Sequence, residues 1–458
     1  MTSVEQLAAW VGRISYEDLT EAVRQALKIR ILDALGCAIG AIDGPPIQML
    51  REVLEDFGGH PLSTLIGGGK TAPDRAAFYN SALVRYLDYN DSYLAEGETC
   101  HPSDNLGAVL AASEYAHRSG KAFLTALAVA YQVQCCLSGV APVRAKGFDH
   151  TTQGAYANAA GVAKALGLTE EQTANAIAMS GTANNALRVT RTGRLSHWKG
   201  LAYPNTAFNA THAAFLARRG ITGPLEVFEG NKGFMESIAG PFELDWQRER
   251  LESVLLTSVK RFNAEFHAQS ALEGMLELKE FYHLHPEEIE RIKIEIFAVA
   301  YHIIGGGEEG DKYLVRTKEE ADHSLPYLVA IALLDGEVTP AQYTPERIAR
   351  DDVQALLRKV QVRSDDALSA RFPAEMSCRL RVELSGNRVL DLEKHDYAGF
   401  FTRPFTWEQA EAKFEQLAVP YAGKALCEEI AQAVAHLDTI DVAQLTALLA
   451  RVNRSKQP

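Results

Sequence analysis

The fold is indicated first by a run of small residues in the first half of the chain: Gly154-Ala155-Tyr156-Ala157-Asn158-Ala159-Ala160-Gly161-Val162-Ala163. Side chains this small let neighbouring helices approach closely. The run therefore predicts a tightly packed helical core, carried by a helix over residues 152–166 that ends where Gly167 supplies a favourable C-cap.

The helical spacing of apolar residues continues on both sides of this run. Helices are predicted over residues 19–39, 76–88, 105–118, 121–138, 169–187 and 205–218. Thr169 and Gln172 have the spacing of a capping box, in which two side chains satisfy free backbone N–H groups at a helix start. The first half of the chain is therefore expected to be all-helical.

The pattern changes after about residue 261. Residues 291–300 alternate apolar and polar side chains at a period of two, which is typical of a half-buried strand. Further strands are predicted over 360–363, 377–384 and 388–392, with a hairpin turn at 384–387 and interleaved helices over 264–280 and 324–334. From residue 406 the pattern is helical again, over 406–417, 422–437 and 441–452.

These segments predict a mainly α protein with two domains. A large all-helical domain is formed by both chain ends, residues 1–262 and 403–458, and a smaller α+β domain, residues 263–402, is inserted between them as a lid. Closure of that lid is expected to exclude water from a substrate.

The composition excludes several classes of partner. The 458 residues carry 46 basic and 59 acidic side chains, a net charge of −13, so nucleic acid and anionic membrane surfaces are poor partners. The longest apolar stretches fall short of the roughly 20 residues that a membrane helix needs. Because the amino terminus also lacks the basic region of a secretory signal, we expect a cytoplasmic protein.

Motifs that bind metals and organic cofactors do not occur in the sequence. The six cysteines form no C-x-x-C pair, and the histidines form no H-x-x-x-H or H-E-x-x-H pair. Gly67-Gly68-Gly69-Lys70 lacks the spacing and the hydroxyl residue of a phosphate-binding loop. We therefore expect buried thiols, no metal and no cofactor.

Two segments of the helical half concentrate acid–base side chains. The first holds Asp88, Asp91 and Ser92 and, a short stretch later, His101, a set that can supply a general base and the group that orients it. The second holds His150. In both segments the alternative is that the polar side chains only cap the following helix.

Two further segments concentrate positive charge. Residues 188–200 include Arg191 and Lys199, which can clamp a carboxylate, although a solvated basic loop has the same composition. Residues 260–267 lie at the predicted domain junction, where ligand sites are favoured and an interdomain salt bridge is the alternative. The predicted substrate-binding residues of this segment are Lys260, Glu265 and His267. Farther on in the inserted domain, Tyr301 and His323 are expected to face the same cleft, although single His and Tyr residues are usually structural.

Taken in order, several motifs resemble the MmgE/PrpD family, which includes 2-methylcitrate dehydratases, cis-aconitate decarboxylases and iminodisuccinate epimerases. The matching segments are Leu32-Asp33-Ala34-Leu35-Gly36-Cys37, residues 87–107, Phe148-Asp149-His150, His197-Trp198-Lys199, residues 262–269 and Asp322-His323-Ser324. The resemblance covers nearly the whole chain and implies the helical fold with an inserted lid, a homodimer, and a small anionic di- or tricarboxylate substrate.

Within the family, Asn90, Glu265 and the spacing from Asp88 to His101 resemble the dehydratases. The resemblance therefore implies a lyase that converts 2-methylcitrate to 2-methyl-cis-aconitate in propionate metabolism. Asn263, where dehydratases usually have proline, and a shortened segment 188–199 depart from that pattern. A decarboxylase or an epimerase of the same family, or a non-catalytic scaffold, remain as alternatives.

The implied reaction needs fixed positive charge, because removing a proton beside a carboxylate adds negative charge to an anionic substrate. We expect Lys199, Lys260 and Arg191 to supply that charge. The acid and the base are expected among Asp88, Asp91, His101 and His150, and the sequence does not decide which is which. Ser92 is expected to contact the substrate.

Overall fold

The computed structural model describes residues 1–193, 195–307 and 310–455. In chain order its helices of seven residues or more are α1 (Ser3–Arg13), α2 (Glu21–Gly40), α3 (Pro45–Phe57), α4 (Pro73–Tyr86), α5 (Leu106–Tyr115), α6 (Gly120–Val140), α7 (Thr151–Leu166), α8 (Glu170–Ala183), α9 (Trp198–Arg218), α10 (Gln269–Tyr282), α11 (Leu325–Asp335), α12 (Asp351–Leu357), α13 (Trp407–Ala435) and α14 (Val442–Leu449). The strands are β1 (Ser63–Thr64), β2 (Lys70–Thr71), β3 (Ser92–Ala95), β4 (Glu98–Cys100), β5 (Thr257–Ser258), β6 (Ile289–Ile296), β7 (Val360–Ser364), β8 (Cys378–Leu384) and β9 (Arg388–Lys394).

The chain divides into two compact units. Unit 1 comprises Met1–Arg191, His197–Val259 and Phe405–Pro458, and unit 2 comprises Thr192–Ser196 and Lys260–Pro404. Unit 1 holds α1 to α9 with α13 and α14, whereas α10 to α12 and strands β6 to β9 belong to unit 2. The prediction of a mainly helical fold with a smaller α+β part is confirmed.

The small-residue run lies on α7, which is buried along almost its whole length. A Cβ atom at Gly154 would lie 2.4 Å from the ring of Tyr203 on α9, and one at Gly161 would lie 2.8 Å from Cβ of Ala130 on α6. Helix α7 therefore packs closely against both neighbours only because these positions carry no side chain.

The two chain ends are joined by the packing of α2 against α13. A Cβ atom at Gly36 would lie 3.1 Å from Cα of Phe414, so the helices cross at very short range. Beside this crossing, Nζ of the buried Lys413 is 2.7 Å from Asp33 Oδ1 and donates a hydrogen bond to the carbonyl oxygen of Tyr89 at 2.8 Å. Helix α13 thus holds the loop that follows α4.

Helices α9 and α10 begin at residues that differ from the predicted ones. Helix α9 was predicted to begin at residue 205, but it begins at Trp198 and contains Pro204, which lacks a backbone donor. Its packing against α4 and α7 offsets the missing hydrogen bond. In contrast, α10 begins at Gln269, five residues after the predicted start, because the Glu265 side chain accepts the N–H of His267 and holds a short 3-10 turn there.

Unit 2 contains a four-stranded sheet in the order β7-β6-β8-β9, with β6 parallel to β7 and the other pairs antiparallel. On β6 the buried positions Ile292, Ile294 and Ile296 alternate with more exposed ones, as the period of two predicts. The strand ends at Ile296, because Ser369 Oγ accepts the N–H of Ala298 at 2.9 Å and caps a helical turn. Helix α10 packs on β8 and β9.

One described helix, α6, is long and apolar enough to cross a membrane, whereas the sequence prediction expected shorter apolar stretches. Its most apolar window has a mean hydropathy of 1.5, and 83% of that window is buried inside the protein. This burial is usual for the core helix of a globular unit. The six cysteines are free thiols, and five of them are buried.

Candidate active site

Asp88 lies directly after α4 in the left-handed region of the backbone, with φ of 53°. Its Oδ1 accepts a hydrogen bond from Arg85 Nη1 at 2.6 Å, and its Oδ2 is 3.2 Å from Lys199 Nζ on the first turn of α9. All three side chains are buried. The structure therefore brings together Asp88 and Lys199, which the sequence placed in separate segments.

Arg85 is a residue of this cluster that the sequence analysis missed. Its Nη1 also donates to Asn90 Oδ1 at 3.2 Å, and its Nε is 3.7 Å from Asp104 Oδ2. Burial disfavours the charged guanidinium, but Asp88 and Asp104 outweigh it and raise the pKa of Arg85 above its ordinary value. The available signal was the spacing, because an arginine three residues before an aspartate at a helix end can pair with it.

Asp91 is fully buried beneath the loop. Its Oδ1 accepts hydrogen bonds from the N–H and Oγ of Ser103 at 3.0 and 2.6 Å, and its Oδ2 accepts one from the hydroxyl of Tyr131 at 2.8 Å. Burial raises the pKa of the Asp91 carboxyl to about 6, although these hydrogen bonds favour the ionised form. The geometry makes Asp91 an anchor for the segment that carries His101.

His101 is held by its Nδ1 atom. That atom is 2.8 Å from the carbonyl oxygen of Asp91 and 3.0 Å from Oγ of Ser92. A carbonyl oxygen only accepts hydrogen bonds, so Nδ1 carries the proton, and in the neutral ring Nε2 carries the lone pair. The Asp91 carbonyl thereby orients the His101 ring, and the Ser92 hydroxyl contacts the same nitrogen.

His150 lies next to His101, with ring centroids 5.3 Å apart in an edge-to-face arrangement. Its Nδ1 is 2.9 Å from Asp149 Oδ1, so this imidazole faces a carboxylate where His101 faces a carbonyl. Burial lowers the pKa of His150, but the charge of Asp149 outweighs burial and raises it above its ordinary value. The two adjacent rings therefore differ in the group that faces Nδ1, a carbonyl for His101 and a carboxylate for His150.

Three polar atoms converge beside His150. Asp104 Oδ2 lies 3.7 Å from Arg85 Nε and 3.9 Å from His150 Nε2. Within residues 1–193, 195–307 and 310–455, each of these atoms is buried and lacks a hydrogen-bond partner. Charge therefore holds these three groups together at distances longer than a hydrogen bond.

Arg191 was expected to face substrate, and the structure places it against Asp149. Its Nε donates a hydrogen bond to Asp149 Oδ2 at 2.6 Å, and both side chains are buried. Burial raises the pKa of Asp149, but Arg191 and His150 outweigh it, so the pKa lies well below its ordinary value. The alternative of a solvated basic loop does not describe Arg191.

Four of the predicted residues of unit 2 form a second cluster, in which Lys260, Glu265 and His267 are buried and His323 is half-buried. The Nδ1 atom of His267 is 2.7 Å from Glu265 Oε1. Burial raises the pKa of Glu265, but the charges of His267, His323 and Lys260 outweigh it and lower the pKa to about 2. These four residues therefore lie within electrostatic reach of one another.

His323 and Tyr301 each contact a residue that is next to them in sequence. His323 Nδ1 is 2.5 Å from Asp322 Oδ1, and Lys318 Nζ is 2.9 Å from Asp322 Oδ2. Tyr301 lies in a single π-helical turn, Tyr301–Gly305, with its ring 5.7 Å from that of His302. The structure thus groups His323 with Asp322 and places Tyr301 on a separate turn of unit 2.

The fold and these side chains define a mainly helical protein in which two buried imidazoles, His101 and His150, lie side by side. Residues 5–247 match the MmgE/PrpD N-terminal domain and residues 262–439 match the MmgE/PrpD C-terminal domain, so the chain belongs to the MmgE/PrpD family.

Curated relatives cover most of the chain. A 2-methylcitrate dehydratase of Escherichia coli K12 is 29% identical over 433 residues, which are 89% of this chain and 83% of the relative. One from Cupriavidus necator is 30% identical over 397 residues, 79% of this chain and 78% of the relative. An alkylcitrate dehydratase from a fungus is 29% identical over 437 residues, 86% of this chain and 83% of the relative. The protein is a lyase, a dehydratase of this family.

Proposed function

We propose that the protein removes water from a tricarboxylate, converting 2-methylcitrate to 2-methyl-cis-aconitate, without a metal or an organic cofactor. The observation that carries the proposal is the pair of adjacent imidazoles with different partners on Nδ1, the Asp91 carbonyl for His101 and the Asp149 carboxylate for His150. A dehydration needs one group to take a proton and another to give one, and this pair supplies both.

His101 is the base in this mechanism. Its Nε2 lone pair takes the proton from the carbon beside a substrate carboxylate, and the electron pair of the broken C–H bond forms the new double bond. Negative charge grows on the carboxylate during this step, and the ammonium of Lys199 stabilises it. Arg85 and Lys199 both flank Asp88, so this carboxylate fixes the ammonium in place.

His150 is the acid. The imidazolium donates its Nε2 proton to the hydroxyl group as the C–O bond breaks, and the oxygen leaves as water. Before the step, the hydroxyl oxygen is bound where Asp104 Oδ2, Arg85 Nε and His150 Nε2 converge. Afterwards His101 is protonated and His150 is neutral, and exchange with solvent restores both.

The unit 2 residues are proposed to bind the remaining carboxylates. Lys260 and His323 supply positive charge, Glu265 and His267 hold each other in place, and Tyr301 contributes a hydroxyl group. Replacing Lys260 with alanine is expected to raise KM more than it lowers kcat. A homodimer, a cytoplasmic location and a role in propionate metabolism are part of the same proposal.

The test is an ultraviolet assay for the conjugated product on a panel of 2-methylcitrate, citrate and cis-aconitate, with and without a chelator. We expect turnover of 2-methylcitrate that a chelator leaves unchanged. His101→Asn should lower kcat by about 10²-fold or more, whereas the exposed His60→Asn should not. Release of carbon dioxide, loss of activity with chelator, or a fully active His101→Asn enzyme would each overturn the proposal.

A further inference from the structure

Arg191 was expected to bind a substrate carboxylate, yet its guanidinium is already committed within unit 1. Nε donates to Asp149 Oδ2 at 2.6 Å, and Nη2 is 3.5 Å from Oδ1 of the same carboxylate. Arg191 is 9% exposed and Asp149 is fully buried. Recruiting this arginine for a substrate would break a buried ion pair, which is unfavourable unless the substrate replaces it completely.

The backbone fixes the same pairing. The N–H of Asp149 donates to the carbonyl oxygen of Ala186 at 2.9 Å, and the N–H of Arg188 donates to that of Gly147 at 2.8 Å. Between them, Phe148 and Leu187 form an antiparallel bridge. The segment that carries Arg191 is therefore attached to the segment that carries Asp149 and His150, at the entrance to α7.

The Asp149 carboxylate in turn fixes the orientation of the His150 ring. Oδ1 accepts the N–H of Thr151 at 3.1 Å and faces Nδ1 of His150 at 2.9 Å, while Oδ2 accepts from Oγ1 of Thr190 at 3.1 Å. A carboxylate held from several sides has one orientation, and a histidine bonded to it through Nδ1 presents Nε2–H in one direction.

We propose that Arg191 is a positioning residue, which holds the Asp149 carboxylate against Nδ1 of His150 and does not bind the substrate. The kinetic part of this inference rests on the proposed function, because it concerns delivery of the His150 proton. The orientation of His150 itself does not depend on which substrate the enzyme accepts.

The charged and titratable groups that face His150 decide the expected pH dependence. Asp149 and, through it, Arg191 lie on the Nδ1 side, Asp104 lies on the Nε2 side with Arg85 behind it, and the rings of His101 and Tyr203 lie at centroid distances of 5.3 and 5.9 Å. Asp149 raises the pKa of His150. Asp149→Asn should therefore lower the midpoint at which His150 loses its proton, and the alkaline limb of kcat should move to lower pH.

The kinetic test uses Arg191→Met, Asp149→Asn and the double variant of the full chain. Arg191→Met should lower kcat by about tenfold or more and change KM by less than about threefold, with partial recovery in Arg191→Lys. Because both residues act through His150, the double variant should be no slower than Asp149→Asn alone. The exposed Arg248, with 88% of its side chain accessible, provides the control Arg248→Met, which should behave as the wild type.

A tenfold rise in KM with unchanged kcat, or effects that multiply in the double variant, would show that Arg191 binds substrate and would overturn the inference. A second measurement is independent of activity: NMR titration of His150 in protein with labelled histidine, assigned with His150→Asn. A lowered midpoint in Asp149→Asn supports the pairing, even if no tricarboxylate is dehydrated and the proposed function fails. An unmoved midpoint overturns it.

Discussion

The buried polar clusters of the two units are built differently. In unit 1 the contacts join residues far apart in sequence, such as Asp88 with Lys199, Asp91 with Tyr131, and Asp149 with Arg191. In unit 2 the shortest contacts of the predicted site residues join near neighbours, Glu265 with His267 and Asp322 with His323. The unit 1 cluster therefore exists only when its helices are packed, whereas the unit 2 pairs depend on local backbone turns.

The largest expected effect comes from the long-range cluster. Lys199→Ala removes the ammonium beside Asp88 and should lower kcat/KM by about 10³-fold, since charge that develops in the transition state loses its stabilisation. The measurement is a steady-state assay on 2-methylcitrate, with circular dichroism to confirm folding. The matched control is Lys424→Met on the exposed face of α13, which should retain full activity. Comparable losses in both variants would argue that Lys199 acts only through stability.

A second long-range contact should dominate stability. Lys413→Met removes the cation that lies 2.7 Å from the buried Asp33 carboxylate, and it should lower the free energy of unfolding by about 3 kcal/mol. Lys413 also binds the Tyr89 carbonyl beside Asp88, so kcat should fall as well. Urea denaturation and the same assay measure the two effects. If the variant is as stable and as active as the wild type, the loop after α4 does not depend on the contact with Lys413 of α13.

Protonation of Glu265 in unit 2 and of Asp91 in unit 1 should affect stability in opposite directions. Glu265 has its pKa lowered from 4.5 to about 2, so its ionised form stabilises the fold above pH 4.5, and this contribution is lost as the pH falls towards 2. It amounts to on the order of 3 kcal/mol. The melting temperature of Glu265→Gln should therefore be lower than that of the wild type at neutral pH, and the difference should shrink in acid.

The contribution of Asp91 to stability should change with pH in the opposite direction. Its pKa is raised from 3.8 to about 6, so ionisation opposes folding, and the penalty appears as the pH rises through 6. The stability of the wild type relative to Asp91→Asn should therefore decrease between pH 4 and pH 8, as followed by thermal unfolding. Parallel slopes for the two variants would mean that the environments of these carboxyl groups do not differ as described.

The smallest effect is expected on the outer face of the unit 2 sheet. Arg381 pairs with Asp391 at 3.2 Å, but the two side chains are 50% and 63% exposed. Arg381→Met should change the free energy of unfolding by less than about 0.5 kcal/mol, because solvent screens such pairs. Urea denaturation at two salt concentrations measures it, and a loss above about 1 kcal/mol would assign these surface charges a structural role.

Several parts of the fold were predictable because they depend on local chemistry. The Thr169 and Gln172 capping box is present as expected, and the hairpin pairs Leu384 with Arg388 across the predicted turn. The period of two on β6 matches its buried face. Where prediction failed, as at Pro204 within α9, packing against other helices overrode the local preference for ending a helix.

The candidate site was predictable in its residue types and not in its arrangement. Asp88, His101, His150 and Lys199 were recognisable as reactive side chains in an acidic protein, whereas Arg85 and the pairing of Asp149 with Arg191 were not. The sequence by itself determined the helical core, through the small residues of α7, and the supply of acid–base groups. Tertiary structure alone decided that the imidazoles of His101 and His150 lie 5.3 Å apart and that Lys199 meets Asp88, because these partners lie on segments that are distant in sequence.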